Sequence, residues 1–534
     1  MTLFPRVLPV GDAALTVELG DAIEATVNAR VRGLDRSLRD DPVDGLLETV
    51  PTHRSLLVLY DPRRARFADL GKAVLDRLDH VSTAAEPGAL HLVPTRYGGD
   101  DGPDLAAVAR RARLSEAQTV ALHSGGEYTA SMLGFTPGFA YLGPLPEPLR
   151  APRHATPRAR VPAGSVAVAG SQTAIYPSAS PGGWNVIGRT SLRLFDPVAD
   201  SPALIQPGDR VRFVSVRDLP LPPPPAPPMA TAGSPSLELL EGGLLATVQA
   251  GGRHGYRRVG VASAGPMDAP SHRAANALVA NPEDAAALEC TISGPQVRFL
   301  ATTAFAITGA DLGAVLRRTD LGEWPVPLGT RVLARAGNVL AFRGRRAGCR
   351  AYVAFAGGIL VPEVLGSRST DLTGGFGGFE GRALRGGDRI VLGGETAPAR
   401  TVPRLSPVPS TATATVRVVL GPQADHIIPD SLASLLSQTY AVTSVSDRVG
   451  CRLSGTPLRH LGSPEIVTDG MVFGSIQVPP DGQPIVMMAD APTTGGYPKI
   501  ATVVSADLHL LAQLAPGEGH LRFRAVTVDE AQAT

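Results

Sequence analysis

The chain has 534 residues, a net charge of +1, 43% hydrophobic and 19% charged residues. The length and the hydrophobic content predict several packed domains. The balanced charge gives no reason to propose nucleic acid or an anionic membrane as a partner. It has no apolar run of about 18 residues and no signal-peptide pattern, so a cytoplasmic protein without a membrane span is expected. Three distant cysteines, Cys290, Cys349 and Cys451, predict neither a disulfide framework nor a metal site.

Residues 1–86 alternate strand-like and helix-like segments. The predicted helices span 23–38 and 67–78, and the predicted strands span 14–19, 46–50 and 55–60. This order is compatible with a small ferredoxin-like α+β domain, closed by a strand over 90–97.

Residues 87–216 change to short strands separated by glycine and proline, which indicates a mainly antiparallel β domain. A helix is predicted over 104–113. Another begins after Ser115, because Ser115 and Gln118 have the spacing of a capping box.

Two proline-rich stretches divide the rest of the chain. Residues 217–236 are typical of a stiff polyproline linker, and 396–415 form a second linker. The segments 237–395 and 416–534 are predicted to be two further β-rich domains.

The three β-rich parts end alike, with a glycine-containing turn and an acid before an alternating strand. These ends lie at 206–213, 384–391 and 515–523. One such turn occurs in many β-hairpins, but three of them favour related β-barrel modules.

Residues 134–143 read Gly-Phe-Thr-Pro-Gly-Phe-Ala-Tyr-Leu-Gly, and 176–185 read Tyr-Pro-Ser-Ala-Ser-Pro-Gly-Gly-Trp-Asn. Glycine and proline at this density predict loops whose backbone comes close to another group. Arg153 and Arg158 are suited to pair with a carboxylate or phosphate, with surface arginines in structural turns as an equal alternative. These motifs resemble the first subunit family of bacterial 5-oxoprolinase (its B-type subunit), also called allophanate hydrolase subunit 1, over roughly residues 7–215.

The second half carries Gly-Pro-Met-Asp at 265–268 and Ala-Asp-Ala-Pro-Thr-Thr-Gly-Gly-Tyr-Pro-Lys-Ile at 489–500. In order and spacing, its motifs resemble the companion family, the C-type subunit of 5-oxoprolinase or allophanate hydrolase subunit 2, over roughly 237–526. Two departures from that family, Pro492 for the usual Gln and Thr468-Asp-Gly470 for a Ser-Glu-Gly-like run, would alter substrate choice without changing the fold.

The resemblance implies an α+β, mainly β fold: the small ferredoxin-like domain followed by three cyclophilin-like β-barrel modules. Joined in this order, the two families are similar to the carboxyltransferase domain of urea carboxylase, in which two lobes hold a small substrate between them. The sequence has neither a biotin-carrier Met-Lys-Met motif nor a Walker-A motif. No bound biotin is therefore expected, and ATP would bind at a site without a recognised motif.

The activity that the resemblance implies is ATP-dependent hydrolysis of 5-oxoproline, a small cyclic amide, to glutamate. The expected partner is the separate lactamase-type subunit of 5-oxoprolinase, its A-type subunit, and a homo-oligomer is also compatible with the sequence. Phosphorylation of the carbonyl oxygen would create a leaving group, while the protein positions the reacting groups and stabilises charge.

Three residues are predicted to be catalytic. Lys499, one of only two lysines among 50 basic residues, is predicted to stabilise negative charge on oxygen or phosphate. Asp490 is predicted to orient the substrate N–H, with a turn-capping carboxylate as an equal alternative. His123 is predicted to act as a general acid or base, with a helix cap or a packed side chain as its alternative. The predicted substrate-binding residues are Tyr141, Arg153, Arg158, Gln477, Gly495 and Gly496.

Two other functions stay open. One is a carboxyltransferase module that acts on urea or a related small amide with biotin-carrying partners. The other is a non-enzymatic regulator of a histidine kinase, which the fusion of the two halves disfavours.

Overall fold

A computed structural model describes residues 3–81, 88–221, 232–318, 320–394 and 412–533. The centre of the first predicted linker and most of the second lie outside these described residues. Within them, two closed seven-stranded barrels and three larger open sheets make up a mainly β structure.

The first unit is an antiparallel sheet in the order β1-β2-β4-β3 with two helices. Its elements are β1 (Arg6–Pro9), β2 (Ala14–Glu18), α1 (Ala25–Asp40), β3 (Leu46–Pro51), β4 (Ser55–Tyr60) and α2 (Phe67–Leu78). Val31, Leu34 and Leu38 recur at helical spacing and are fully buried against the sheet. The predicted closing strand belongs instead to the next unit, and β1 takes the edge position. The ferredoxin-like arrangement therefore stays a prediction.

The second unit is a closed barrel. Its strands and helices are β5 (Leu90–Tyr97), α3 (Leu105–Ala112), α4 (Glu116–Ser124), β6 (Tyr128–Leu133), β7 (Ala140–Gly143), β8 (Arg158–Val161), β9 (Ser165–Ala169), β10 (Gln172–Ile175), β11 (Ser180–Gly182), β12 (Asn185–Arg189) and β13 (Arg210–Ser215). β8 and β11 pair as a separate hairpin. The predicted capping box at α4 is confirmed, because the side chains of Ser115 and Gln118 bond each other's backbone N–H.

The third unit contains a seven-stranded and a five-stranded sheet that share one apolar core. Its elements are β14 (Leu237–Glu241), β15 (Leu245–Gln249), α5 (Ala269–Leu278), β16 (Ala287–Thr291), β17 (Gln296–Phe299), β18 (Thr303–Asp311), β19 (Ala314–Arg318), β20 (Gly322–Pro325), β21 (Arg331–Ala334), β22 (Val339–Phe342), β23 (Ala347–Phe355), β24 (Ile359–Leu360) and β25 (Arg389–Leu392).

The fourth unit is the second closed barrel. Its elements are β26 (Thr413–Leu420), α6 (Pro429–Ser437), β27 (Tyr440–Val442), β28 (Gly450–Ser454), β29 (Asp469–Gly470), β30 (Ser475–Gln477), β31 (Ile485–Met487), β32 (Thr494–Gly495), β33 (Lys499–Val503), α7 (Leu508–Ala512), β34 (His520–Ala525) and α8 (Val528–Gln532). Short 3-10 helical turns in the last three units span Gly99–Asp101, Glu147–Leu149, Arg257–Val259, Ala424–His426 and Ser505–Asp507.

The three similar sequence ends lead into strands that pair with the first strand of their own unit. In both barrels this pairing is parallel, β13 with β5 and β34 with β26. In the third unit β25 instead pairs antiparallel with β14, and the sheet continues to an open edge at β24. Two predicted barrels are thus present, whereas the third predicted barrel is a pair of packed sheets.

Three buried histidines, His53, His123 and His272, predict acid-sensitive stability. Burial lowers their pKa to about 4, about 3 and about 4, so they stay neutral in the folded chain, while the unfolded chain takes up protons below about pH 6.5. Each therefore lowers the free energy of unfolding by up to about 1.4 kcal/mol per pH unit as the pH falls from about 6.5 to about 4. We expect urea unfolding to show a clear loss of stability between about pH 7.5 and about pH 5, with a shallower dependence in His123→Gln. An unchanged free energy of unfolding across this range would contradict the prediction.

Candidate active site

The two halves of the chain meet at a loop between β6 and β7. Phe135 in this loop has a φ of 66°, which is unusual for a bulky residue and occurs where surrounding contacts enforce it. Its backbone N–H donates to Thr494 Oγ1 at 3.1 Å. A Cβ at Gly134 would lie only 2.1 Å from the same oxygen. Glycine at this position therefore allows the first barrel to contact the second.

An aromatic wall, formed by Phe139, Tyr141, Tyr176 and Trp184, stands beside this contact. Its rings pack edge to face, with centroids 5.0 Å apart for Phe139 and Tyr141 and 6.0 Å apart for Tyr141 and Trp184. Burial raises the pKa of Tyr141 to about 12, and Thr494 lies close enough to this phenol to oppose that rise. Tyr141 therefore keeps its proton at neutral pH and is able to donate it in a hydrogen bond.

Facing the wall is the short strand β32, which pairs with β29 so that Gly495 lies opposite Asp469. A Cβ at Gly495 would lie 2.4 Å from Gln477 Nε2. Gln477 is buried behind this strand and donates to the Tyr497 carbonyl at 3.1 Å. Gly495 and Gly496 remain partly exposed, so their backbone forms the surface of the site while Gln477 supports it. We call Tyr141, Thr494, Gly495 and Gly496 the composite site.

A buried ion pair lies beneath the composite site. Lys499 Nζ donates to Asp469 Oδ2 at 2.6 Å, and both side chains are 1% exposed. Asp469 also accepts hydrogen bonds from the Ser55 hydroxyl and from Gln423 Nε2. Burial alone would raise the pKa of Asp469, but attraction to Lys499 and Arg54 outweighs it and holds the pKa at about 2. The Lys499 ammonium is thus already paired with a carboxylate of the protein itself, Asp469.

Asp490 lies in a second buried network. Both of its carboxylate oxygens accept from Arg448, Nε and Nη2, at 2.8 Å each. Arg448 also donates to Glu289 and to the Gly265 carbonyl. Burial raises the pKa of Asp490, with Arg448 opposing that rise. The bidentate pairing with Arg448 places this carboxylate inside the protein, so contact with a substrate at Asp490 stays a prediction.

His123 lies inside the first barrel. It is fully buried, with Nδ1 2.8 Å from the Tyr97 hydroxyl and Nε2 2.9 Å from Thr173 Oγ1. Its ring centroid lies 4.5 Å from that of Phe213. This environment favours the packed-side-chain alternative over proton transfer.

The two predicted substrate-binding arginines differ in their contacts. Arg158 donates to Asp104 Oδ1 at 2.7 Å and lies 3.0 Å from His154. Arg153 is exposed, and the described part of the chain places no acidic group within ion-pair distance of it. Its charge lies close enough to Tyr141 to oppose the rise in that residue's pKa. Binding of an anionic group by Arg153 therefore stays a prediction.

Sequence reasoning missed several buried polar residues. Asp469 stood out only as a departure from the family pattern. Arg448 and Glu289 lie in segments that resemble the family but were given no role, and Ser55 and Gln423 carried no distinguishing signal. Their partners lie far away in sequence: Ser55 and Asp469 are 414 positions apart. In the described ranges, no three His, Cys, Asp or Glu side chains are grouped to hold a metal ion, and none of the helices there is long and apolar enough to cross a membrane.

Comparison with known proteins covers both halves. The family model for subdomains C and D of the carboxyltransferase domain matches residues 5–205. The family model for subdomains A and B of the same domain matches residues 259–525. The C-type subunit of 5-oxoprolinase from Escherichia coli is 39% identical over 298 residues, which are 55% of this chain and 93% of that protein. The B-type subunit from Escherichia coli is 44% identical over 211 residues, which are 39% of this chain and 95% of that protein.

Two further relatives extend the comparison. The urea amidolyase of Lachancea kluyveri is 34% identical over 310 residues, which are 53% of this chain but 16% of that protein. The crystal structure of TTHA0988 has a TM-score of 0.83 and 37% identity over 96% of this chain and 99% of that one. The chain therefore belongs to the carboxyltransferase domain family, with an N-terminal half similar to the B-type subunit of 5-oxoprolinase joined to a C-terminal half similar to the C-type subunit.

Proposed function

We propose that the chain is the fused B-type and C-type component of an ATP-dependent 5-oxoprolinase, which opens 5-oxoproline to glutamate together with a separate lactamase-type subunit. The hydrogen bond from the Phe135 backbone N–H of the N-terminal half to Thr494 Oγ1 of the C-terminal half carries this proposal. It supports a substrate site that needs both halves, as expected of an enzyme whose relatives are separate B-type and C-type subunits.

The composite site suits the groups of 5-oxoproline. The Arg153 guanidinium would bind its carboxylate. The protonated Tyr141 hydroxyl would donate to the lactam carbonyl oxygen, and the backbone at Gly495 and Gly496 would approach the ring closely. Lys499 would act indirectly, because it holds Asp469 directly opposite Gly495.

A triphosphate does not fit the residues of this site. Several cations are needed around its charges, but Arg158 is held by Asp104 and Lys499 by Asp469. Arg153 is left as the exposed guanidinium. A nucleotide would therefore bind outside the composite site, and we derive no step of the chemistry through ATP.

The carboxyltransferase alternative has less support. Similarity to urea amidolyase covers 16% of that protein, whereas it covers 93% and 95% of the two 5-oxoprolinase subunits. A regulator of a histidine kinase would not account for a site that both halves build.

Glutamate formation from 5-oxoproline and ATP is the test. We expect turnover only when the purified chain is mixed with its cognate lactamase-type subunit. Arg153→Gln should raise KM for 5-oxoproline about 10- to 100-fold with a smaller change in kcat, because a charge-assisted hydrogen bond contributes about 1.5–3 kcal/mol.

Arg160→Gln is the matched control, since Arg160 is an exposed arginine on the neighbouring strand β8. An unchanged KM for Arg153→Gln would remove Arg153 from the site. No turnover with a folded partner would contradict the oxoprolinase proposal and favour carboxyl transfer to another amide.

A further inference from the structure

A cavity of about 210 Å³ lies where the first unit, the third unit and the second barrel meet. Leu59 of strand β4 lines it, whereas Ser55, at the start of the same strand, bonds Asp469 beneath the composite site. Four residues of extended strand separate these two positions by roughly 13 Å. The cavity is thus distinct from the composite site, although one strand connects them.

Most of the cavity wall is apolar. Leu59, Val472, Met488 and Leu508 contribute large side chains to it. Leu508 and Val472 are partly exposed, so the cavity has an opening to solvent. A space much larger than the ~30 Å³ share of one water suits a small ligand with an apolar body.

Two buried polar groups on this wall have atoms without hydrogen-bond partners among the described residues. They are the hydroxyl of Thr502, a residue 2% exposed, and Nε of Arg257, a residue 5% exposed. A buried donor without an acceptor is costly, and each such group calls for an explanation. The other two nitrogens of the Arg257 guanidinium donate to Ser263 Oγ and to the Met471 carbonyl, and Glu48 acts on its charge, so Nε is the atom left for a ligand. A carboxylate on a ligand would accept from Arg257 Nε and from the Thr502 hydroxyl.

A fixed carboxylate lies on the same wall. Asp12 is 4% exposed and accepts from the Ser505 backbone N–H at 2.9 Å and from the Ser505 hydroxyl. These bonds hold Asp12 in place but leave lone pairs on its oxygens. A ligand ammonium would pair with this carboxylate, whereas a purely anionic ligand would be repelled by it.

The cavity therefore combines a guanidinium, a carboxylate and an apolar chamber. From these groups we propose that it binds an apolar α-amino acid of about the size of leucine or methionine. The ligand carboxylate meets Arg257 and Thr502, the ammonium meets Asp12, and the side chain packs against Met488 and Leu508. The inference does not depend on the proposed oxoprolinase activity.

Isothermal titration calorimetry on the full chain tests the proposal without turnover. L-Leucine should give saturable binding at sub-millimolar concentration. Two analogues, 4-methylpentanoate without the ammonium and isopentylamine without the carboxylate, should bind at least about tenfold more weakly, because each loses one charged pairing. Equal binding of leucine and 4-methylpentanoate would overturn the pairing with Asp12. No saturable heat with leucine, methionine or valine at millimolar concentration would overturn the site.

Two variants locate the ligand. Asp12→Asn and Thr502→Val should each weaken leucine binding about tenfold or more, the loss of one charge-assisted or buried hydrogen bond. Thr415→Val makes the same change at an exposed position on β26 and is the matched control. If Asp12→Asn fails to fold, Thr502→Val still tests the site. The Thr502 hydroxyl has no hydrogen-bond partner among the described residues, so its removal breaks no bond that holds the fold there. Wild-type affinity in Thr502→Val would place the ligand elsewhere.

Discussion

Replacing Lys499 with methionine is expected to lower the free energy of unfolding by about 3–5 kcal/mol, the cost of leaving one member of a buried ion pair without its partner. Asp469 is 1% exposed, and attraction to Lys499 and Arg54 is what holds its pKa at about 2. Without Lys499 the buried carboxylate must either keep its charge beside Arg54 or take up a proton, and both cost free energy. Urea unfolding at neutral pH, followed by circular dichroism, measures this loss.

The double variant Lys499→Met with Asp469→Asn is the control for this prediction. Asparagine removes the charge but still accepts hydrogen bonds, as from the Ser55 hydroxyl. We expect the double variant to recover most of the lost stability, since it leaves no buried charge without an opposite charge beside it. A single variant as stable as the wild type would show that the pair contributes nothing.

A second replacement, Lys499→Arg, separates stability from chemistry. It keeps the positive charge but changes the compact ammonium into a planar guanidinium. Activity near that of the wild type, measured with the lactamase-type partner, would contradict a specific role for the ammonium.

Arg448→Met is expected to be at least as damaging, with a loss of about 3–5 kcal/mol or more. Arg448 bonds Asp490 through two nitrogens and donates to Glu289. Its removal takes the bidentate partner from the buried Asp490 and leaves Glu289 with the more distant Arg350, whose Nε lies 3.9 Å from Glu289 Oε1. Thermal unfolding by calorimetry measures the loss. If Arg448→Met does not fold, Arg448→Lys gives the same direction with a smaller loss, since one ammonium cannot reproduce the bidentate contact.

Arg343→Met is the matched control for the Arg448 prediction. Arg343 pairs with Glu323 on the surface, where the two side chains are 52% and 32% exposed. Pairs in such a position contribute at most about 1 kcal/mol. A loss for Arg448→Met no greater than that for Arg343→Met would contradict the assignment of Arg448 as the central cation of its network.

Local patterns in the sequence were sufficient for many elements. The helix predicted over 67–78 is the observed Phe67–Leu78, and the strand predicted over 55–60 is the observed Ser55–Tyr60. The capping box at Ser115 was also predicted correctly. Each of these features depends on neighbouring residues, so its signal lies within one short window.

Pairing between distant strands was harder to predict. A strand over 90–97 was predicted, but it joins the first barrel through β13 rather than closing the first unit. The end of the third unit looks like the ends of the two barrels, yet its strand runs antiparallel to its partner and the sheet stays open. Alternating apolar residues predict a strand but do not specify its partner or its direction.

The sequence by itself thus determined the mainly β composition, many element positions and the family, because these follow from local patterns and long motifs. It also singled out Lys499 through the rarity of lysine. Only the tertiary structure decided that Lys499 pairs with Asp469, that Arg448 forms an ion pair with Asp490, and that His123 lies in a barrel core. Burial and electrostatic pairing depend on which side chains meet in space, and residues as distant as Ser55 and Asp469 meet only after the two halves have folded together.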